Sequence, residues 1–322
     1  MPVREKTGQS LGTVTLMLEV LLEPFSYPFM LRGMAAAILA GALCGGVGVY
    51  VILKRMAYIG HGLAHAVLGG AVVSYVMSLN FLAGSTIWGF LCAQLITLTT
   101  KKRKIAYDAA IGVVTTASFA VGIVLISRYK SFTRDFETAL FGNIVGVTSG
   151  DLAALAVVTG LVALLLFVAY KHFLFTTFDG DVAQFYGVPT GWVEAMFSLL
   201  LAGTIVVSLQ VLGVLLIAGA TVIPPVTARV LTDSFPRMLT LSAGIGAACG
   251  FFGIYLSYFV DVSSGATIVL VEAAVFAVVM GCSSLRSRLA AARRREPRMT
   301  RTASPADSGA APGAEPVKTE GD

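Results

Sequence analysis

The sequence predicts an all-α integral membrane protein with eight or nine transmembrane helices, and two observations carry this prediction. Apolar residues make up 56% of the 322-residue chain and charged residues only 13%, whereas soluble domains carry roughly 25% charged residues. The charges are also clustered, so that long uncharged stretches remain between them. Because a helix crosses a bilayer with about 20 apolar residues, these stretches are long enough to span it.

Stretches without Lys, Arg, Asp or Glu mark the expected spans in order. They cover residues 33–53, 56–100, 109–127, 152–170, 195–228, 238–260 and 262–285, the last interrupted only by Glu272. The second stretch holds two spans if the chain turns near Asn80 and Gly84. The total is therefore eight spans, or nine if the stretch 195–228 also holds two.

The stretch 195–228 would be about 51 Å long as one helix, which is too long for one span and short for two. We expect a break near residues 210–213, followed by a second helix that is strained or broken at Pro224 and Pro225. Broken helices at membrane depth occur where the backbone lines a cavity or is buried in protein.

The two ends differ in composition from the transmembrane domain, which we place at residues 28–285. Residues 1–27 form a mixed N-terminal flank, in which no cleavable signal peptide is expected. Residues 286–322 form a tail that is first basic and then rich in Ala, Pro, Ser and Gly, and we expect it to be disordered. The segment 136–148 is too short to cross and is expected to lie at the surface or to re-enter.

Basic clusters predict the orientation. Residues 101–104 are all Lys or Arg, and seven arginines follow the last span between positions 286 and 301. Both clusters predict a cytoplasmic location, with the C-terminal tail inside, although three basic residues between 128 and 134 fall on the other side. The net charge of +5 arises largely from such flanks, so it does not indicate binding to nucleic acid. The arginine-rich start of the tail either sets the orientation, which is the favoured interpretation, or contacts anionic membrane lipid. Nine spans place the N-terminus outside and eight place it inside.

A histidine pair, His61 and His65, lies within the uncharged stretch 56–100. Four residues apart on a helix, the two imidazoles share one face. Neutral imidazole is a good ligand for zinc, iron, copper and nickel, and polar side chains at membrane depth often mark a substrate pathway. A hydrogen-bonded packing role is the alternative. One pair is too few ligands for a closed metal site, so further ligands must come from elsewhere.

Glu272 is the second polar anomaly, because it lies near the middle of the last apolar stretch. A charge at the bilayer centre costs about 2.5–3.5 kcal/mol on insertion scales. The side chain either supplies a carboxylate to the metal site or is protonated and hydrogen-bonded in a packed interface. A third interpretation makes it a proton relay in an ion-coupled carrier.

Several motifs of energy-coupled or covalent chemistry are missing from the sequence. It contains no GxxxxGK[ST] phosphate-binding loop, no Gly-Lys pair and no HExxH zinc motif. We therefore expect a transport subunit rather than an enzyme, and any ATP hydrolysis must take place on a separate polypeptide.

Six motifs follow one another along the chain: KRMAYIGHGLAHA at 54–66, YDAAIG at 107–112, LFGN at 140–143, DVAQFYGV at 181–188, IPPVTAR at 223–229 and DVSSG at 261–265. In this order they resemble the motifs of the permease subunits of the zinc/manganese/iron ABC importers. The resemblance covers about residues 28–285, and six matches in order are far more specific than any one of them.

The resemblance implies an assembly of several proteins. Such permeases pair as homodimers or with a close homologue, sit on two ABC ATPase subunits, and receive the metal from an extracytoplasmic metal-binding protein. The segment 181–188 corresponds to the cytoplasmic region that contacts the ATPase, which assigns this contact to Asp181, Ala183, Gly187 and Val188. No permanently bound cofactor is implied, because the metal dication is the cargo.

In the family the second span carries Asp-x-x-x-His, and both residues are implicated in holding the metal. Here His61 replaces the aspartate, and His65 matches the histidine. Losing a hard anionic oxygen disfavours manganese and favours zinc. The sequence thus predicts a permease of the cell membrane for a transition-metal dication, with zinc favoured over manganese or iron. The alternatives are a related permease for a chelated or non-metal ligand, the ion-coupled carrier, and a membrane anchoring or signalling protein without transport.

Overall fold

The computed structural model describes residues 19–103, 105–128, 142, 144, 146–214 and 216–295. The part of the tail beyond residue 295, for which disorder was predicted, and most of the segment 136–148 lie outside the described residues. The chain divides by its contacts into two units, Met1–Met280 and Gly281–Asp322. The cavities and contacts described below all belong to the first unit.

The described residues contain eleven α-helices, which follow a 3-10 turn at Glu23–Ser26. No strand occurs among the described residues. The helices are α1 (Pro28–Leu53), α2 (Ala57–Val76), α3 (Phe81–Arg103), α4 (Tyr107–Arg128), α5 (Ser149–Val168), α6 (Tyr170–Phe178), α7 (Gly180–Phe185), α8 (Thr190–Leu212), α9 (Ile217–Leu231), α10 (Phe235–Val260) and α11 (Ser264–Arg295).

Eight of the described helices are long and apolar enough to cross a membrane, namely α1–α5, α8, α10 and α11. The prediction of an all-α, polytopic membrane protein is confirmed. The number of spans is nine if α9 also crosses the membrane and eight if it does not. Helix α9 has only 15 residues and is shorter than the other eight. Helix α11 continues to Arg295, ten residues past the predicted domain boundary at 285.

The turn between α2 and α3 is built by Asn80. Its side-chain Oδ1 accepts a hydrogen bond from the backbone N–H of Ala83 at 3.2 Å, which satisfies a donor that the first turn of a helix leaves free. The predicted turn near Asn80 is thus confirmed. Gly84, in contrast, lies inside α3 and packs against Ser74 of α2.

Helices α1 and α10 pack backbone to backbone through small residues. Gly41 touches Gly246, and Ser242 donates a hydrogen bond from Oγ to the Gly45 carbonyl oxygen at 2.6 Å. Residue numbers rise along one helix as they fall along the other, so the helices are antiparallel. Glycines permit this close approach between membrane helices. Helix α10 therefore begins at the end of the bundle where α1 ends.

Aromatic side chains close that end of the bundle. The Tyr50 ring of α1 lies 5.3 Å from that of Phe235 in α10 and 5.7 Å from that of Phe173 in α6, between ring centroids. The Lys54 ammonium lies 5.0 Å from the Phe197 ring centroid of α8, a cation–π contact. The start of α10, helix α6 and the start of α8 thus all meet the end of α1.

The predicted break in the stretch 195–228 occurs at Gly213. Helix α8 ends at Leu212, and Gly213 adopts φ 77° and ψ 160°, a region that only glycine occupies without strain. The prediction of a break near 210–213 is confirmed. The helix break predicted at Pro224 and Pro225 is wrong, because α9 runs through both residues.

Packing explains why the two prolines do not break α9. Each lacks one backbone N–H donor, but both rings are buried, and the Pro225 ring lies against Gly48 of α1. Thr221 and Thr227 each donate from Oγ1 to the carbonyl oxygen four residues earlier, at 2.9 Å and 2.7 Å. Contact with α1 and these side-chain hydrogen bonds within α9 therefore support the helix where its backbone ladder is incomplete.

We expect Gly213→Ala to destabilise the protein by about 1–3 kcal/mol, because a Cβ is strained at this combination of φ and ψ. The measurement is the apparent thermal unfolding midpoint of the purified protein in detergent. Gly203→Ala is the matched control, since Gly203 is helical within α8 and its nearest neighbour to an added Cβ is 4.0 Å away. An unchanged midpoint for Gly213→Ala would contradict the strained conformation.

Candidate metal-binding cavity

The two histidines predicted as ligands are adjacent on α2. Their ring centroids are 4.6 Å apart. The Nδ1 atom of His65 lies 3.0 Å from the His61 carbonyl oxygen, and because a carbonyl oxygen only accepts, Nδ1 carries the proton in this hydrogen bond. The lone pair on Nε2 of His65 is therefore available to a metal. The Phe119 ring meets His65 edge to face at 5.5 Å and fixes its orientation.

Both imidazoles line a cavity of about 370 Å³ between α2 and α4. Its walls are Tyr58, His61, Gly62, His65, Asp108, Ile111, Gly112, Thr115, Thr116 and Phe119. His61 is exposed and His65 is partly buried. The cavity is therefore open on the side of His61, and its ligands are accessible from outside this chain.

Small residues on α2 set the position of α4. Gly62 packs against Ile111 and Thr115, and Gly69 packs against Ser118 and Gly122. Ser118 fixes this contact by donating from Oγ to the Ala66 carbonyl oxygen at 3.0 Å. Since the contacts advance in the same direction along both chains, α2 and α4 run parallel.

The parallel packing brings Asp108 to the cavity. Asp108 is the second residue of α4, level with the first turn of α2 and about 6 Å along the helix axis from His61. Asp108 was not predicted from the sequence as a cavity residue. The available signal was the absence of a carboxylate beside the histidine pair, since Asp108 is the first acidic residue that follows the pair along the sequence.

Glu272 does not line this cavity. It is fully buried on α11, close enough to Cys44 of α1 and Cys249 of α10 to interact with them electrostatically. Neither carboxyl oxygen has a hydrogen-bond partner among the described residues, so the hydrogen bond expected for a packed Glu272 is not found there. Those residues also contain no group of three His, Cys, Asp or Glu side chains that could hold a metal within one chain.

The predicted ATPase contact lies on a short turn of helix between α6 and α8. Asp179 caps α7 by accepting from the Val182 N–H at 3.0 Å, and Gly187 ends the turn with φ 81°. Asp181 and Gly187 are exposed and Val188 is partly buried, whereas Ala183 is fully buried within this chain.

Two aromatic residues on this turn were missed by sequence reasoning. Phe185 is 87% exposed and Tyr186 is 72% exposed, and their rings meet edge to face at 5.7 Å. Exposed aromatic pairs of this kind are typical anchors of protein interfaces. The turn lies at the end of the bundle where α1 ends, because Phe173 of the preceding α6 packs on Tyr50.

The sequence profile described as "ABC 3 transport family" matches residues 26–283, most of the chain. The chain belongs to the ABC 3 transport family. Among its relatives are the manganese transport system membrane protein MntC of Halalkalibacterium halodurans, with 37% identity over 79% of this chain and 87% of the relative. The chelated iron transport system membrane protein YfeC of Yersinia pestis shares 32% identity over 81% and 88%.

Two solved structures have a fold similar to that of this chain. PsaBC from Streptococcus pneumoniae in complex with Fab superposes with a TM-score of 0.74 at 31% identity, over 81% of this chain and 95% of that chain. An inward-facing putative metal-chelate type ABC transporter superposes at 0.62 and 16% identity, over 78% and 85%, which supports the fold alone. The protein is thus a permease of the metal-type ABC importers, and the family resemblance found in the sequence is confirmed.

Proposed function

We propose that this permease carries a transition-metal dication across the cell membrane, with His61 and His65 as transient ligands, and that zinc fits the ligand set best. The observation that carries the proposal is the pair of imidazoles 4.6 Å apart on the wall of an open cavity. Imidazole nitrogens suit zinc, whereas manganese prefers carboxylate and water oxygen. An open site also suits a transporter, because the ligands must release the ion that they bind.

A second copy of the chain would complete the site. Tyr58 and Val113, near the cavity mouth on α2 and α4, are 67% and 72% exposed, so this face is apolar and uncovered in the single chain. Two copies facing each other would offer four imidazoles, the number that tetrahedral zinc binds. Asp108 of each copy would add a carboxylate near the mouth and attract dications to it.

The proposed assembly places ATP hydrolysis on a separate ABC ATPase. The turn that carries Phe185 and Tyr186 is the proposed contact, at the same end of the bundle as Lys54 and the C-terminal end of α3 at Arg103. That end is cytoplasmic by the distribution of positive charge, as is the C-terminal tail. An extracytoplasmic metal-binding protein would deliver the ion to the opposite end.

The test is uptake of radioactive zinc or manganese into vesicles that contain the permease and its ATPase. We expect ATP-dependent zinc uptake, with unlabelled zinc competing better than manganese. The variant His61→Asp, which restores an anionic oxygen, is expected to raise manganese uptake relative to zinc. Preferential manganese uptake by the unaltered protein would overturn zinc as the cargo, and uptake only of a metal chelate would overturn the free ion.

Glu272 provides the control against an ion-coupled carrier. Because it lies outside the histidine cavity, we expect Glu272→Gln to retain ATP-dependent uptake in the same vesicles. Uptake that follows a proton gradient without ATP, and that is lost in Glu272→Gln, would favour the carrier instead.

A further inference from the structure

A second cavity, of about 990 Å³, opens between α1, α5, α6 and α10, away from the histidines. We call it the α5 groove. Its walls within the bundle are apolar or small and include Gly46 of α1. From α5 it is lined by Thr159, Val162, Ala163, Leu166, Phe167 and Val168. Its far end is formed by α6, where Tyr170, Lys171 and His172 line it.

The depth of the α5 groove matches one leaflet of a bilayer. Nine residues separate Thr159 from Val168, which corresponds to about 14 Å along the helix. The hydrocarbon core of a bilayer is about 30 Å thick, so the groove extends over roughly half of it. A partner's transmembrane helix would need contact across the full thickness, whereas a lipid acyl chain needs only one leaflet.

The polar end of the α5 groove is basic. Lys171 is exposed, and no ion pair of its side chain occurs among the described residues. His172 beside it is also exposed, and Tyr170 is an aromatic residue of the kind that sits at the membrane–water interface. Pro236, at the start of α10, lines the same end of the groove. The polar end of the groove therefore lies at the end of the bundle where α1 ends.

We propose that the α5 groove binds an anionic phospholipid from the leaflet on this side, with its acyl chains along α5 and its phosphate at Lys171. An apolar groove of one leaflet's depth with an exposed cation at its mouth complements both parts of such a lipid. Basic pockets between transmembrane helices on the cytoplasmic side recognise anionic headgroups in this way. The bound lipid fills the space between α5 and the α1–α10 pair.

Gly46 offers a way to fill the groove without disturbing the fold. A Cβ added at Gly46 meets no atom within 4 Å, so the longer side chain of Gly46→Met would occupy the groove. Gly160→Met is the matched control, because Gly160 also has open space at its Cβ but is exposed on α5 and does not line the groove. Lys171→Gln removes the cation while leaving the groove open.

The experiment measures lipid retained by the full-length permease after reconstitution in phosphatidylcholine bilayers that contain phosphatidylglycerol, followed by detergent extraction and native mass spectrometry. We expect the unaltered protein and Gly160→Met to retain phosphatidylglycerol in preference to phosphatidylcholine. Gly46→Met should lose retention of both lipids. Lys171→Gln should lower the preference about fivefold, the effect of about 1 kcal/mol per basic residue near anionic lipid.

Three results would overturn the proposal. Equal retention of both lipids by the unaltered protein would contradict the proposed contact between the lipid phosphate and Lys171. Equal losses in Gly46→Met and Gly160→Met would show that the groove is not the site. A change of oligomeric state in Gly46→Met, with lipid retention intact, would assign the groove to a second copy of the chain.

Discussion

His65→Ala is expected to lower metal uptake at least about 100-fold in vesicles that contain the permease and its ATPase. His65 holds the ligand position most firmly, because its Nδ1 donates to the His61 carbonyl oxygen and Phe119 packs against its ring. Loss of an outer residue that merely orients a ligand already costs about 10–100-fold in metal affinity, so loss of the ligand itself should cost more. ATP hydrolysis by the assembled complex should persist, since the variant leaves the helix contacts of α2 in place.

Phe119→Leu is the control for His65→Ala. It removes the ring contact but leaves both imidazoles in place, so uptake should fall less than in His65→Ala. Equal losses in the two variants would assign the effect to packing within α2 and α4. Uptake by His65→Ala at the level of the unaltered protein would exclude His65 as a ligand.

The second large effect is expected from the double variant Phe185→Ala/Tyr186→Ala, which should lose the ABC ATPase during co-purification. Aromatic anchors at interfaces often contribute about 2–4 kcal/mol, so association should weaken by roughly 30-fold or more. Both side chains are largely exposed, so their removal should leave the permease folded. The measurement is the amount of ATPase recovered with a tagged permease, together with the ATPase activity of the mixture.

Phe252→Ala serves as the matched control for this contact, because Phe252 is an exposed aromatic residue of the spanning helix α10. It should leave ATPase recovery unchanged. Normal recovery with the double variant would place the ATPase contact elsewhere. Loss with both variants would indicate general destabilisation.

The spans could be predicted from sequence because the bilayer imposes them. Every buried backbone group must be paired within its own helix, and each helix needs about 20 apolar residues. The same length argument located the break near Gly213. The break predicted at Pro224 and Pro225 was wrong. Proline disfavours a helix by its local chemistry, but α9 packs against α1 and stays helical there.

The site could be predicted only in part. His61 and His65 share one helix, so their spacing alone places them together. Asp108 lies at the cavity because α2 and α4 pack in parallel. This packing depends on contacts such as Gly62 against Ile111, which the sequence of neither segment predicts. The exposure of Phe185 likewise depends on which face of α7 packs against the protein. Ala183 lies on the buried face, and Phe185 is left exposed.

The contact between α1 and α10 restricts how the protein can move. Conformational changes occur either by shear, in which packed helices slide over one another, or about hinges, in which a few residues absorb the rotation. Gly41, Gly45 and Gly250 bring the two backbones into direct contact, so sliding by one residue would drive neighbouring side chains into the opposite backbone. Helices α1 and α10 should therefore rotate as one body, while Gly213, which interrupts the helical backbone between α8 and α9, offers a position for a hinge.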